Sequence, residues 1–268
     1  MQIQGSRVLI TGASRGIGES IARALHAAGA TVALAARNEA SLRAVSTALG
    51  SRTSIHPIDL SEPTQLNGWI DNVEHEIGGP IDILVNNAGI DLVGSFATRS
   101  ASDVHRIHQV NLLSPIELCR QVLPAMLERG GGHLVNVSST AATGAFSGLA
   151  MYGSTKAGLS NFTRILRHEI QGSGVQTTVV SLGPVLTDML DEVNAFEPTR
   201  KSFDRMRRLQ LMPNIKREAV AKQVVSAIAK NKAHVRMPRR AAMYPALAEV
   251  PQTLVNLVLK GIDRGYRP

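Results

Sequence analysis

The chain has 268 residues, 44% of them hydrophobic, which is enough to bury a substantial core and excludes disorder as its main theme. Its formal net charge is +8, but the basic runs "TRKSFDRMRRLQ" at 199–210 and "KNKAHVRMPRR" at 230–240 come late and aromatic residues make up only 3%, so a nucleic-acid binder built on base stacking is not expected. The one cysteine, Cys119, excludes an intrachain disulfide; "MQIQGSRVLITG" carries no secretion pattern, no apolar run approaches the roughly 18 residues needed to span a bilayer, and the expected location is cytoplasmic.

The first β-rich apolar run, "RVLI" at 7–10, leads straight into "TGASRGIGES", with glycines at 12, 16 and 18. A helical pattern follows in "GESIARALHAAGA", where Ile21, Ala24, Leu25 and Ala28 share one face and Gly29 is placed to end the helix as an αL cap. Strand, tight turn and helix start are the order that dinucleotide binding needs. Gly12 allows the turn, Gly16 and Gly18 let the backbone approach a pyrophosphate, and the helix N-terminus offers unpaired N–H groups and partial positive charge. Three glycines are a weak signal alone, and the GxxxGxG spacing departs from GxGxxG, pointing to a particular variant of the fold.

The second run, "TVALAA" at 31–36, is followed by Arg37. An acid there would bond a ribose 2′-hydroxyl and repel a 2′-phosphate, whereas an arginine pairs with the phosphate. Arg37, with Arg15 and Ser14 in the glycine loop, therefore favours NADP(H); NAD(H) is the alternative if Glu39 serves as the acid two residues late.

The runs "TSIHPI", "IDILVNN", "HLVNVSS" and "VQTTVVSLG" continue the alternation with helical patterns in "EASLRAVSTALG", "TQLNGWIDNVEHEIG", the stretch from Ala101 to Glu128, and "GSTKAGLSNFTRILRHEIQG". Uninterrupted βα alternation without linkers predicts an α/β fold, a Rossmann-type doubly wound parallel sheet flanked by helices, in a single domain covering 1–268. Beyond 184 the pattern loosens: 188–215 carries Phe, Met and Arg without strand signals, "KREAVAKQVVSAIAKN" reads as helix, "HVRMP" as a last strand, and 241–268 as a C-terminal extension.

In "MYGSTKAG", Tyr152 precedes Lys156 by four residues. On a helix such residues differ by about 40° around the axis and lie roughly 6 Å apart along it, so they share a face, as a proton-transfer pair requires and as many surface pairs also do. A free phenol is a poor base at neutral pH, but a neighbouring ammonium and an oxidised nicotinamide both favour phenolate. His105, His108, His133 and His168 have no carboxylate or cysteine partners at ligand spacing, so no metal site is expected.

Taken together, "TGASRGIG" at 11–18, "NNAG" at 86–89, Asn111, "NVSS" at 136–139 and "YGSTK" at 152–156 resemble the short-chain dehydrogenase/reductase family, closely over 5–190 and loosely beyond. The resemblance implies a sheet of about seven parallel strands, a nicotinamide cofactor, and a catalytic set matching Asn111, Ser139, Tyr152 and Lys156. It further implies cofactor contacts at Gly12, Ser14, Arg15, Gly16, Ile17, Gly18, Arg37, Asp59 and Leu60 near the adenine, Asn86, Ala88 and Gly89 near the adenosine ribose, Tyr152 and Lys156, and Gly183, Val185 and Thr187 near the carboxamide. One departure is visible: Leu182 stands where the family usually has a proline.

In this family the segment after Thr187 forms a lid over the substrate. Met189, Leu190, Val193, Phe196, Phe203, Met206, Leu209 and Met212 make it apolar here, so a small apolar carbonyl compound or secondary alcohol is expected, such as a ketoacyl, steroid-like or aromatic ketone. The interleaved arginines suit either a carrier-linked phosphate or solvent. The resemblance also implies a homodimer or homotetramer, paired through the helices around 112–128 and 153–171. A non-catalytic NADP sensor and a membrane-surface enzyme acting on lipid ketones, attached through the tail and basic segments, are the competing readings; tail packing in a subunit interface explains the same residues more simply.

Overall fold

Alternating apolar residues send the strands' side chains to opposite faces of one sheet, and both faces are buried. In β1 (Arg7–Thr11), Val8 and Ile10 enter one core while Leu9 enters the other. The same alternation runs through β2 (Thr31–Ala36) and β4 (Ile83–Asn86), which follows the edge strand β3 (Thr53–Pro57) in the chain. The computed structural model describes residues 1–238 together with Leu257 and Val258, so most of the expected C-terminal extension lies outside the described residues.

Seven parallel strands stand in the order β3-β2-β1-β4-β5-β6-β7, completed by β5 (Gly132–Ser139), β6 (Val175–Leu182) and β7 (His234–Met237). The order reverses between β1 and β4, the point at which doubly wound sheets open a crevice for ligands. One face carries α1 (Gly16–Ala27), α2 (Glu39–Leu49) and, late in the chain, α9 (Arg217–Ala229), with Ile21, Leu25, Leu42, Val220 and Val224 facing inward. The other carries α3 (Trp69–Glu76), α5 (Ser114–Glu128) and α6 (Ala150–Glu169), with Ile70, Leu118, Val122 and Leu166 against the sheet.

Three elements differ from expectation. The helix expected over 64–78 is broken at the turn dipeptide Asn67-Gly68, into a 3-10 turn at Pro63–Leu66 and α3. The long helix expected from 101 to 128 is α4 (Ala101–His108), a π turn (Gln109–Leu113) and α5. The segment 188–215 forms α7 (Asp188–Ala195) and α8 (Glu197–Arg208), whose Leu190, Val193, Phe203 and Met206 build a third core with Phe146, Leu149 and Met212. Tyr152, Val93 and Val258 pack against that third core. Among the described residues, no helix is long and apolar enough to cross a membrane.

Candidate active site

The glycine loop joins the C-terminal end of β1 to α1, and its sterics explain its composition. Gly12 has φ +68, and a Cβ there would lie 2.9 Å from the Ala88 Cα. A Cβ on Gly18 would lie 2.1 Å from the Gly12 carbonyl oxygen, so α1 can approach the turn only without a side chain. The Arg15 side chain makes no cap to α1, which leaves the helix's first N–H groups, at Gly16 and Ile17, directed at the crevice beside Ser14. This is a cradle for an anionic group such as a pyrophosphate.

The loop after β4 is bolted to the glycine loop. Thr11 Oγ1 accepts from the N–H groups of Asn87 (3.0 Å) and Ala88 (3.1 Å), while Asn87 Nδ2 donates to the Thr11 carbonyl at 3.0 Å. Asn86 lies deeper. Only 2% exposed, its side chain donates to Asn136 Oδ1 at 2.8 Å and to the Pro115 carbonyl at 3.2 Å. Its side chain therefore braces the ends of β4 and β5 from inside and is not brought to the crevice surface.

On the far side of the crevice, Arg37 is exposed where β2 ends, and Glu39 is already paired with Arg43 at 2.6 Å. Asp59 follows β3. Partial burial works against its charge, but hydrogen bonds from the Ser61 N–H (2.9 Å) and hydroxyl (2.8 Å), with the positive charges of Arg37 and Arg106, hold its carboxyl below the ordinary range. Leu60 is buried, and its carbonyl accepts from the Ser114 hydroxyl at 2.7 Å.

β5 and β6 end level with each other, Ser139 paired with Leu182. Leu182 extends β6 to a register partner in Met237, a ladder position where proline would have no N–H to give. Gly183 then donates to the Met237 carbonyl at 2.7 Å, Val185 bridges to Ile215, and the Thr187 side chain lies 3.4 Å from where a Gly16 Cβ would stand. Residues 183–187 thus cross the opening next to the glycine loop.

Tyr152 and Lys156 lie in the first turns of α6, which begins three residues before the expected start. The Lys156 ammonium stands 5.8 Å from the centre of the Tyr152 ring and donates to the Val137 carbonyl at 2.9 Å. Ser139 Oγ accepts from the Ala141 N–H at 3.1 Å and hydrogen-bonds to Tyr152. Asn111, fully buried in the π turn, grips Ile90 at both ends: Oδ1 accepts its N–H and Nδ2 donates to its carbonyl, each at 2.8 Å. Nδ2 also reaches Thr155 Oγ1 at 3.3 Å, and a Cβ on Gly89 would lie 3.3 Å from Asn111 Oδ1 and 3.4 Å from Lys156 Nζ. Asn111, Ser139, Tyr152, Lys156 and Gly89 are therefore one cluster.

The electrostatics add an effect that residue order does not show. Tyr152 keeps some exposed surface, yet protein atoms enclose its hydroxyl, and this burial pushes the phenol up to about 12; the Ser139 hydrogen bond pulls it down and the Asp91 charge pushes it further up. Lys156 is driven down to about 8 by burial. Desolvation disfavours both charged forms, and with the ammonium engaged by Val137 the protein alone does not produce a phenolate. Asp91 was not anticipated. It directly follows "NNAGI" and is raised to about 6 by burial and by the Glu192 charge on α7. Its only sequence signal is an acid beside a motif, which carries no information about direction.

Comparison with known proteins places the chain among its relatives. A family model described as short chain dehydrogenase matches residues 6–198. The ketoacyl reductase HetN of Nostoc sp. (strain PCC 7120) is 35% identical over 269 positions, covering 99% of this chain and 89% of that protein. The 3-oxoacyl-[acyl-carrier-protein] reductase FabG of Escherichia coli (strain K12) is 34% identical, covering 70% of this chain and 77% of its own. Among solved structures, a short-chain dehydrogenase from Streptomyces avermitilis superposes with a TM-score of 0.78 at 26% identity, over 98% of this chain and all of that one. A metagenomic short-chain oxidoreductase in complex with NADP superposes with a TM-score of 0.70 at 28% identity, over 88% and 97% of the two chains.

Proposed function

The chain belongs to the short-chain dehydrogenase family, enzymes that use nicotinamide cofactors on carbonyl and alcohol groups, and we propose that it transfers hydride between NADP(H) and a ketone or secondary alcohol of largely apolar body. The observation that carries this reading is the convergence of Asn111, Ser139, Tyr152 and Lys156, from three separate elements, beside the mouth of the glycine loop.

The nicotinamide, when bound, supplies or accepts the hydride. The chain's own groups handle orientation and the proton. Ser139 holds the substrate oxygen toward the Tyr152 hydroxyl, and Tyr152, a phenol across the neutral range, gives its proton to that oxygen during reduction and recovers it in oxidation. Lys156, cationic below about 8, opposes the negative charge left on the phenol oxygen and holds ribose hydroxyls. Asn111 fixes the 89–91 backbone and holds a relay water toward Lys156. The donor set around the glycine loop suits an anionic dinucleotide, with Gly12, Ser14, Arg15, Gly16, Ile17 and Gly18 about the pyrophosphate, Asp59, Leu60, Ala88, Gly89 and the Asn86 backbone about adenosine, and Gly183, Val185 and Thr187 about the carboxamide.

The preference for NADP(H) rests on the exposed Arg37 at the end of β2 and on Glu39 being occupied by Arg43. An NADP complex of a similar fold supports it. The apolar substrate body rests on the third core, where Tyr152 packs with Phe146, Leu149, Leu190 and Met206; α7 and α8 serve as its lid. Similarity to two ketoacyl reductases favours a ketoacyl compound. Leu113, Leu127 and Ile165, exposed on the π turn, α5 and α6, mark the faces through which two copies pair.

The test is NADPH oxidation over a panel of apolar ketones and acyl thioesters with wild type and Tyr152→Phe. Turnover reduced at least about a hundredfold in the variant is expected; equal rates overturn the mechanism, and tight NADPH binding with no turnover of any substrate favours the sensor.

A further inference from the structure

The residues around Tyr152 include a polar group that the proton chemistry does not use. Asp91 sits between Ile90, held at both backbone atoms by Asn111, and Val93, which packs with Tyr152 against the third core. Gly94 then closes the loop by donating to the Gly148 carbonyl at 3.1 Å. Asp91 is thus fixed to the frame that carries the reaction centre, on the wall facing α7. Its Oδ2 is enclosed, and among the described residues nothing donates to it. Asn194 Oδ1, two residues after Glu192 on α7, is enclosed and without a donor as well.

A protein that needed only an apolar pocket would gain nothing from a carboxyl here. An enclosed acceptor lacking a donor destabilises the fold, and a carboxylate close to Tyr152 opposes formation of the phenolate. The first penalty vanishes if a donor arrives with the substrate. The Lys156 ammonium, 5.8 Å from the centre of the Tyr152 ring, disfavours a second cation beside that ring, so a neutral hydroxyl fits better than an amine.

We propose that Asp91 is a specificity-determining residue that accepts a hydrogen bond from a hydroxyl carried near the reacting carbonyl, so that the preferred substrate is a hydroxyketone with an apolar body. This rests on the reductase reading above and narrows its substrate class.

Two matched pairs test it. Initial rates with NADPH compare 2-octanone with 1-hydroxy-2-octanone, and titration calorimetry of the enzyme–NADP+ complex compares 2-octanol with 1,2-octanediol. Wild type is expected to favour the hydroxylated member of each pair about tenfold, as a hydrogen bond to a charged acceptor implies. Asp91→Leu abolishes that preference and raises kcat/KM for 2-octanone several-fold, because no carboxylate then opposes negative charge on the Tyr152 oxygen. Asp91→Asn, which keeps an acceptor oxygen at the same place, retains the preference and guards against a folding defect in the leucine variant. No preference in wild type, or one that survives Asp91→Leu, overturns the assignment. Absence of turnover alongside the expected binding difference rejects the reductase reading and leaves Asp91 as the hydroxyl acceptor.

Discussion

Arg15, in the glycine loop, and Asp188, the first residue of α7, form an ion pair of 2.6 Å across the mouth of the crevice. Both side chains are about 70% exposed (70% and 71%), so the pair adds little to stability. Under the proposed reading it competes with a dinucleotide phosphate for the Arg15 guanidinium. Asp188→Asn is therefore expected to tighten NADPH binding, by about two- to fivefold, the scale of one exposed pair. Fluorescence titration of NADPH measures it, and unchanged or weaker binding counts against Arg15 as a phosphate ligand.

Arg37 makes a separate claim. Whichever cofactor binds the native state more tightly raises the melting temperature more at equal concentration. NADP+ is expected to stabilise wild type more than NAD+, and Arg37→Asp to reverse the order, because a carboxylate repels the 2′-phosphate and accepts from the ribose hydroxyl. A larger shift with NAD+ in wild type would mean that Arg37 only faces solvent.

The burial of Lys156 predicts a pH profile. With its pKa brought down to about 8, the ammonium is present at pH 7 and lost above that point. Reductive kcat/KM is expected to fall as pH rises from 7 through about 8. Lys156→Met is expected to lie at least about tenfold lower with no inflection there. A variant profile retaining the wild-type inflection would assign it to another group.

Acid sensitivity should trace in part to His133. This fully buried residue in β5 bonds Thr178 Oγ1 at 2.7 Å, and burial, with the positive charges of the N-terminus and Arg167, lowers its pKa to about 4. Between pH 6.5 and about 4 the unfolded chain binds the proton and the native one does not, so stability is complete above 6.5 and declines as pH falls through that window, by up to about 3 kcal/mol. Denaturant melts at pH 7 and pH 5 are expected to show a smaller drop for His133→Gln than for wild type. Equal drops would remove His133 from the account.

Much of this could be read from residue order. The runs around Leu9, Leu34, Leu84 and Leu134 became β1, β2, β4 and β5, because a doubly buried strand reads as a continuous apolar segment. Spacing paired Tyr152 with Lys156, and the resemblance to the short-chain dehydrogenase/reductase family added Asn111 and Ser139. The π turn could not be read this way, since one extra residue per turn around Asn111 leaves a helical pattern almost unchanged. Nor could α8, whose buried stripe Thr199, Ser202, Phe203 and Met206 is narrow and half polar, with arginine and lysine on the rest. The upward shift of Tyr152 was not legible either: a neighbouring charge is visible along a sequence, whereas desolvation depends on what packs around the hydroxyl in three dimensions.

The bridge between Val185 and Ile215 has a consequence for how such a protein diversifies. Leu186 donates to the Ile215 carbonyl at 3.0 Å and Ile215 to the Pro184 carbonyl at 2.9 Å, so the chain leaves for α7 and returns from α8 through a single clasp. Everything between is an interchangeable cassette whose closure is already secured. Because loop entropy grows only by about 0.6 kcal/mol per doubling of length, insertions there are cheap for the fold. What limits exchange is side-chain packing: Leu190, Val193, Phe203 and Met206 share the third core with Phe146 and Leu149, so substitutions there are felt at Tyr152.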